Sequence, residues 1–284
     1  MASATTTTKD ARTKTKTQPL ATKPCGGETR STERDARSEG DGPRAILAID
    51  VGGTSVKALA SGQNEPLKID SGKAMTPARM VEAVMNAAKP WKFDAVSIGY
   101  PGLVGAHGPH SEPLNLGPGW VGFDFAAAFG KPVKIMNDAA MQALGSYNGG
   151  RMLFLGLGTG LGSTLITQNV IIPLELGELL HRGDDRLGLL VGRRGLKRIG
   201  KSEWRRIVRE MVDSFSRAFV VDYVVLGGGN AKLLRELPGG ARLGHNLTAF
   251  RGGFRLWHLE EIPTHSPQGE VMAESRKSAD WRVI

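Results

Sequence analysis

Asp50, Gly52, Gly53 and Thr54 interrupt the apolar run "AILAIDVGGTSVKAL" at residues 45–59. A buried strand disfavours Asp, whose carboxylate must be desolvated, and Gly, which packs nothing. At a turn between two strands the same residues bare backbone N–H groups to an anion without Cβ obstruction. Such a hairpin can hold a phosphate, with Asp50 taking Mg²⁺ directly or through water and Thr54 or Lys57 meeting phosphate oxygens. By itself the pattern reads as an ordinary Gly-Gly hairpin. It recurs, however, in "LFLGLGTGLGSTLI" at 153–166, where Gly158, Thr159 and Gly160 separate two apolar runs. A dinucleotide fingerprint would place a helix after those glycines, whereas 163–166 continue as a strand. The stretch therefore reads as a second phosphate hairpin. A third turn, Gly227, Gly228 and Gly229 in "VVLGGGNAKLL", follows a strand and opens a helix, where adenosine or a further phosphate could rest on the helix N-terminus.

The stretch "VKIMNDAAMQAL" passes from strand to helix at Asn137 and Asp138. Either residue can cap the helix, and the helix dipole favours an ionised carboxylate there.

The elements that must position these groups alternate. Apolar β-type runs at 45–51, 54–60, 94–99, 133–136, 151–157, 162–166 and 222–226 are separated by helical patterns at about 76–88, 138–147 and 203–219, which predicts an α/β fold in two halves. In "SEWRRIVREMVDSFSRAF" Ser202 can cap the helix. Trp204, Ile207, Val208, Met211, Val212, Phe215 and Phe219 form its core stripe, leaving Arg205, Arg206 and Arg209 outside.

Composition sets limits. The 284 residues, 40% of them hydrophobic, suffice for one or two ordinary cores. A net charge of +9 calls for an anionic partner without choosing one. Cys25 is the single cysteine, which excludes an intramolecular disulfide or a Cys-cluster metal site and suits a reducing, cytoplasmic compartment. No apolar run reaches the roughly 20 residues of a membrane span, so no membrane partner is expected. Residues 1–44 read as a disordered tail rich in Thr, Lys, Arg and Gly, and 259–284 as a loose polar extension.

Two glycine hairpins opening two α/β halves, with a late glycine turn, resemble the actin-like ATPase (ribonuclease H-like) fold of sugar kinases, two lobes with a cleft between them. In order, "AIDVGGTSVKA", "SIGYPGLV", "PLNLGPGW", "VKIMNDAAMQAL", "FLGLGTGLGSTLI", "LELGELL" and "YVVLGGGNAKLL" are similar to the ROK family of repressors, open reading frames and sugar kinases, within its short glucokinase branch that includes polyphosphate glucokinases. The resemblance covers roughly 45–258, with lobes at 45–137 and 138–258. It implies a kinase that transfers a phosphoryl group from ATP or polyphosphate, with Mg²⁺, to a hexose, glucose at O6 being the expected acceptor, and that often dimerises. It implies Asp138 as the general base, with Asn137 beside it, and Asn115 and Glu175 on the sugar hydroxyls. Glu178 stands where the family carries His, and His181 lies three residues on. The family's cysteine-rich zinc motif is missing, so no zinc site is expected. The family's repressors carry an N-terminal helix-turn-helix, which 1–44 lacks the apolar residues to form, so no nucleic-acid partner is expected. The alternative is a sugar- or nucleotide-sensing relative without catalysis, suggested by Glu178.

"GLKRIGKS" at 195–202 fits the P-loop spacing, but no clean buried strand precedes it, and it is not expected to bind nucleotide. The charge around it is dense: Arg186, Arg193, Arg194, Lys197, Arg198, Lys201, Arg205, Arg206 and Arg209 are offset by Asp184, Asp185 and Glu203. Part of this is solvated helix face, and part could border a track for a long polyanion.

Overall fold

The computed structural model describes residues 45–181, 183–245, 247–257 and 282–283. The expected N-terminal tail, Cys25, Arg182 and most of the C-terminal extension lie outside the described residues.

The first half is built on β1 (Ile46–Val51), β2 (Ser55–Ala60), β3 (Leu67–Asp70), α1 (Pro77–Ala87), β4 (Ala95–Tyr100), the short pair β5 (Val104–Gly105) and β6 (Gly108–Pro109), α2 (Phe125–Phe129) and β7 (Val133–Asn137). Its sheet runs β3-β2-β1-β4-β7. β1, β4 and β7 are parallel, and their register sets Asp50 beside Gly99 and Tyr100 beside Asn137. The parallel strands therefore deliver their carboxyl ends to one edge, the usual position of a site in an α/β sheet. α1 starts where Thr76 accepts the Arg79 N–H and Pro77 enters its first turn.

After α3 (Asp138–Ser146), the second half repeats the plan with β8 (Met152–Leu157), β9 (Leu161–Thr167) and β10 (Val170–Leu174). The pair β11 (Leu180–His181) and β12 (Asp185–Arg186), α4 (Leu187–Val191), α5 (Arg193–Ala218), β13 (Tyr223–Gly227), β14 (Ala241–Leu243), α6 (Thr248–Arg255) and β15 (Arg282–Val283) complete it. The second sheet runs β14-β13-β8-β9-β10-β15. β8 and β13 are parallel with Gly156 opposite Gly227, which brings the second and third glycine turns to neighbouring strand ends.

The expected strands and the first two expected helices match elements of the structure to within a residue or two. α5 differs, beginning at Arg193 rather than 203 and breaking at Gly200, whose φ of 78° and ψ of 165° suit glycine. Ser202, expected to cap, lies in the first turn after that break. The expected stripe from Trp204 to Phe215 is buried against β8 and β13 residues.

α6 had no counterpart in the sequence pattern, because Gly252 and Gly253 lower helix propensity. Tertiary packing explains them. A Cβ on Gly252 would lie 1.8 Å from the Met141 carbonyl oxygen, one on Gly145 1.8 Å from that of Thr248, and one on Gly253 2.6 Å from Ala48 Cβ. α6 thus lies backbone-to-backbone on α3 and flat on β1. Ser97 Oγ, buried in β4, donates to the Gly253 carbonyl at 2.6 Å and accepts from Trp257 Nε1 at 2.9 Å, so the last described helix is fastened onto the first sheet.

Candidate active site

The site begins where β7 becomes α3. Asn137 ends the strand and caps the helix: its Oδ1 accepts the Ala140 N–H at 3.1 Å, and its Nδ2 donates to the Gly102 carbonyl at 3.1 Å. Both ends of the amide are thereby used, and the next residue, Asp138, is set in the first turn with its Oδ1 accepting the Ala139 N–H at 2.8 Å.

Helix-terminal N–H groups lower a carboxyl pKa, which is the basis for expecting Asp138 to be fully ionised. The structure reverses that balance. Burial, the neighbouring Asp50 carboxylate and, more weakly, Glu175 outweigh the amides of Ala139 and Asp138 itself, and the Asp138 carboxyl is pushed up to about 7. Asp50 is raised as well, by burial, against a partial downward pull from Lys57, which sits directly opposite it across β1 and β2. Partial desolvation, then the Glu178 carboxylate, raises Glu175. Three carboxylates from β1, α3 and the β10–α4 connection therefore converge.

Both hairpins flank this cluster. In the first, the Gly52 N–H is spent closing the turn on the Ser55 carbonyl at 3.1 Å, and the Gly52 carbonyl accepts from Ser71 Oγ at 2.6 Å. In the second, the Gly158 N–H is shared between the Gly156 and Gly160 carbonyls. The N–H groups of Gly53, Thr54, Thr159 and Gly160 have no hydrogen-bond partner among the described residues. These four form the open donor set for an anion, a narrower group than the glycines expected from the pattern. Gly53 also explains itself sterically: a Cβ there would lie 2.8 Å from Asn115 Cβ, so the first hairpin and Asn115 touch. A Cβ on Gly162 would lie 2.8 Å from Ala139 Cβ, which sets β9 against the start of α3.

The third turn braces the second hairpin. Gly228, at φ 79°, lies against Leu157, and Asn230 donates from its backbone to the Leu157 carbonyl at 3.0 Å and from Nδ2 to the Gly158 carbonyl at 3.0 Å. The Arg193 N–H, at the start of α5, bonds the Gly158 and Thr159 carbonyls. Ser71, Asn230 and Arg193 are supports that the motif reading passed over. Asn230, directly after three glycines, carried the one readable signal, since Asn favours turns.

Glu178 is exposed and ion-paired with Arg186 at 2.5 Å, and Glu175 reaches solvent. His181, on β11, has a buried Nε2 without a hydrogen-bond partner among the described residues, so it is less of a surface side chain than expected. The P-loop segment is helical on both sides of Gly200 and forms no phosphate loop.

No family model matches the chain. The polyphosphate glucokinase of Mycobacterium tuberculosis is 27% identical over 206 residues, 64% of this chain and 77% of that protein. That of Mycobacterium leprae is 26% identical over 216 residues, 68% of this chain and 66% of its own length. Among solved structures, the inorganic polyphosphate/ATP-glucomannokinase of Arthrobacter sp. strain KM superposes with a TM-score of 0.63 at 22% identity, covering 75% of this chain and 96% of that one. A ROK family glucokinase from Streptomyces griseus, solved with glucose and AMPPNP, gives 0.52 at 18% identity over 73% and 97% of the two chains. The fold is therefore the actin-like sugar-kinase fold. In sequence the chain is similar to the mycobacterial polyphosphate glucokinases, and in fold to these ROK-type sugar kinases. No helix among the described residues is long and apolar enough to cross a membrane.

Proposed function

We propose that the protein is a hexose kinase that moves a phosphoryl group from ATP or polyphosphate to glucose O6, with Asp138 as general base. One observation carries the reading: a carboxyl lifted to about 7 by burial and a second carboxylate stands among two hairpins whose spare N–H groups suit phosphate oxygens. Phosphoryl transfer asks the protein for a positioned base and charge stabilisation, and a base works best with a pKa near the working pH. Asp138 takes the proton of the attacking hydroxyl. Asn115 and Glu175 orient the sugar, and Gly53, Thr54, Thr159 and Gly160 cradle the donor, with Lys57 near its oxygens. Gly227, Gly228 and Gly229 take the far side of the donor.

Among the described residues no cluster of three or more His, Cys, Asp or Glu side chains is placed to hold a metal. Asp50 fits Mg²⁺ nonetheless, directly or through water, because that ion accepts a single carboxylate when substrate phosphates complete its shell. Bound there, Mg²⁺ would neutralise phosphate charge. Homodimerisation and a cytoplasmic location complete the proposal.

The test is glucose phosphorylation by the purified full chain with ATP and with long-chain polyphosphate, the product position being read by NMR. Glucose 6-phosphate is expected. Sugar binding without transfer from either donor would overturn the kinase reading in favour of a sensor, the role that the Glu178–Arg186 pair, in place of a sugar contact, would suit.

A further inference from the structure

Much of the basic charge at 186–209 is consumed locally. Arg186 pairs with Glu178, Arg198 with Asp185, and Arg206 with Glu203 and Glu210. Of the six other basic residues in that stretch, two gather at one place. Arg205 and Arg209, one turn apart on α5, face Arg235 across a pocket of about 170 Å³, with Glu236 as its acidic member. Arg205 is fixed in place because its Nε donates to the Leu233 carbonyl at 2.8 Å, which leaves its two terminal nitrogens for a ligand. Arg209 and Arg235 have no ion pair among the described residues. Three guanidinium groups against one carboxylate make a site for phosphate oxygens, which the guanidinium fork matches.

Its position relates it to the donor. Leu233 ends a single 3-10 turn, Ala231–Leu233, that follows Asn230, the residue bonded to the Gly158 hairpin. Such a turn advances about 2 Å per residue, so by this path the Leu233 carbonyl that holds Arg205 is on the order of 6 Å beyond Asn230. Arg194 and Lys197, both exposed, lie on α5 between its start at that hairpin and the break at Gly200, on the way to Arg205. We infer that Arg205, Arg209 and Arg235 form a distal anion subsite that holds phosphate groups of a linear polyphosphate well behind the one transferred, so that donor chain length is read at this pocket. The adenosine end of ATP carries no charge and gains no ion pair there. This subsite rests on the kinase reading for its role, but its binding can be measured without turnover.

The test uses the full chain, the Arg209→Ala/Arg235→Ala variant and, as a control for general charge loss, Lys89→Ala on the other half. Arg205 is left intact because it also ties down the Leu233 loop. Equilibrium titration with long-chain polyphosphate at several salt concentrations should show affinity at least tenfold weaker in the double variant, and a log–log salt slope shallower by about one to two. In the coupled assay, KM for long-chain polyphosphate should rise at least fivefold more than KM for tripolyphosphate. Wild-type affinity and slope in the double variant, equal losses for short and long donors, or the same loss in Lys89→Ala would overturn the subsite. A wild-type chain that phosphorylates no sugar but binds polyphosphate through these arginines would remove the kinase reading and keep the anion site.

Discussion

The two glycine hairpins are built alike and equipped differently. Each joins a pair of antiparallel strands at the opening of a sheet, and each spends one glycine N–H on closing its own turn. The first stands beside Asp50 and Asp138, is packed against Asn115, and is braced by Ser71. The second has no carboxylate in its turn, is braced by Asn230 and the Arg193 amide, and leads onto the arginines of α5. On the proposed reading both hairpins cradle the donor, and the first also stands beside the base and the sugar contact. Side chains divide the labour.

Removing the proposed base tests that reading most severely. Asp138→Asn keeps the shape and the capping geometry of α3, and turnover should fall by roughly 100-fold to 10,000-fold with glucose affinity and thermal stability nearly unchanged. Steady-state kinetics beside a sugar-binding titration measure this, and an active Asn variant would strip Asp138 of the role.

Valine in the two hairpins should act unequally. A Cβ on Gly158 meets no protein atom within 4 Å, so Gly158→Val should fold normally and lose about 100-fold in kcat/KM for the donor by filling the space over the turn. Gly53→Val drives its side chain into Asn115 and should raise the sugar KM and lower the melting temperature as well. Identical profiles for the two variants would erase the distinction between the halves.

The gentlest probe is pH. A protonated carboxyl accepts no proton, and with the Asp138 pKa at about 7 kcat/KM for glucose should climb close to tenfold per pH unit below that value and level off above it. A profile flat from about pH 5 to 8 would detach the raised carboxyl from the chemistry.

How much of this could be read from the chain depends on the range of the interaction. Asp50, Gly53 and Gly158 announce themselves because each is locally out of place: a carboxylate in an apolar run, or glycine where a strand should pack. Asp138, an ordinary residue at a helix start, is singled out only by the family resemblance. Periodicity likewise marks the Trp204–Phe215 stripe, since core burial imposes its spacing. α6 was illegible, because its glycines weaken a helix locally and are required only by α3 and β1 lying within contact distance.

The sequence alone thus determined the alternation of strands and helices and the two hairpins, which follow from forces acting within a few residues, whereas the candidate base came from the family resemblance. Tertiary structure decided the rest. The ionisation of Asp138 depends on burial and on Asp50, a residue 88 positions earlier that reaches it only because β1, β4 and β7 run parallel. Which hairpin amides stay open depends on which carbonyls each turn folds back upon. Whether a basic residue is spent or available depends on acids brought to it by the fold, since charges act through space at distances that position in the chain does not encode.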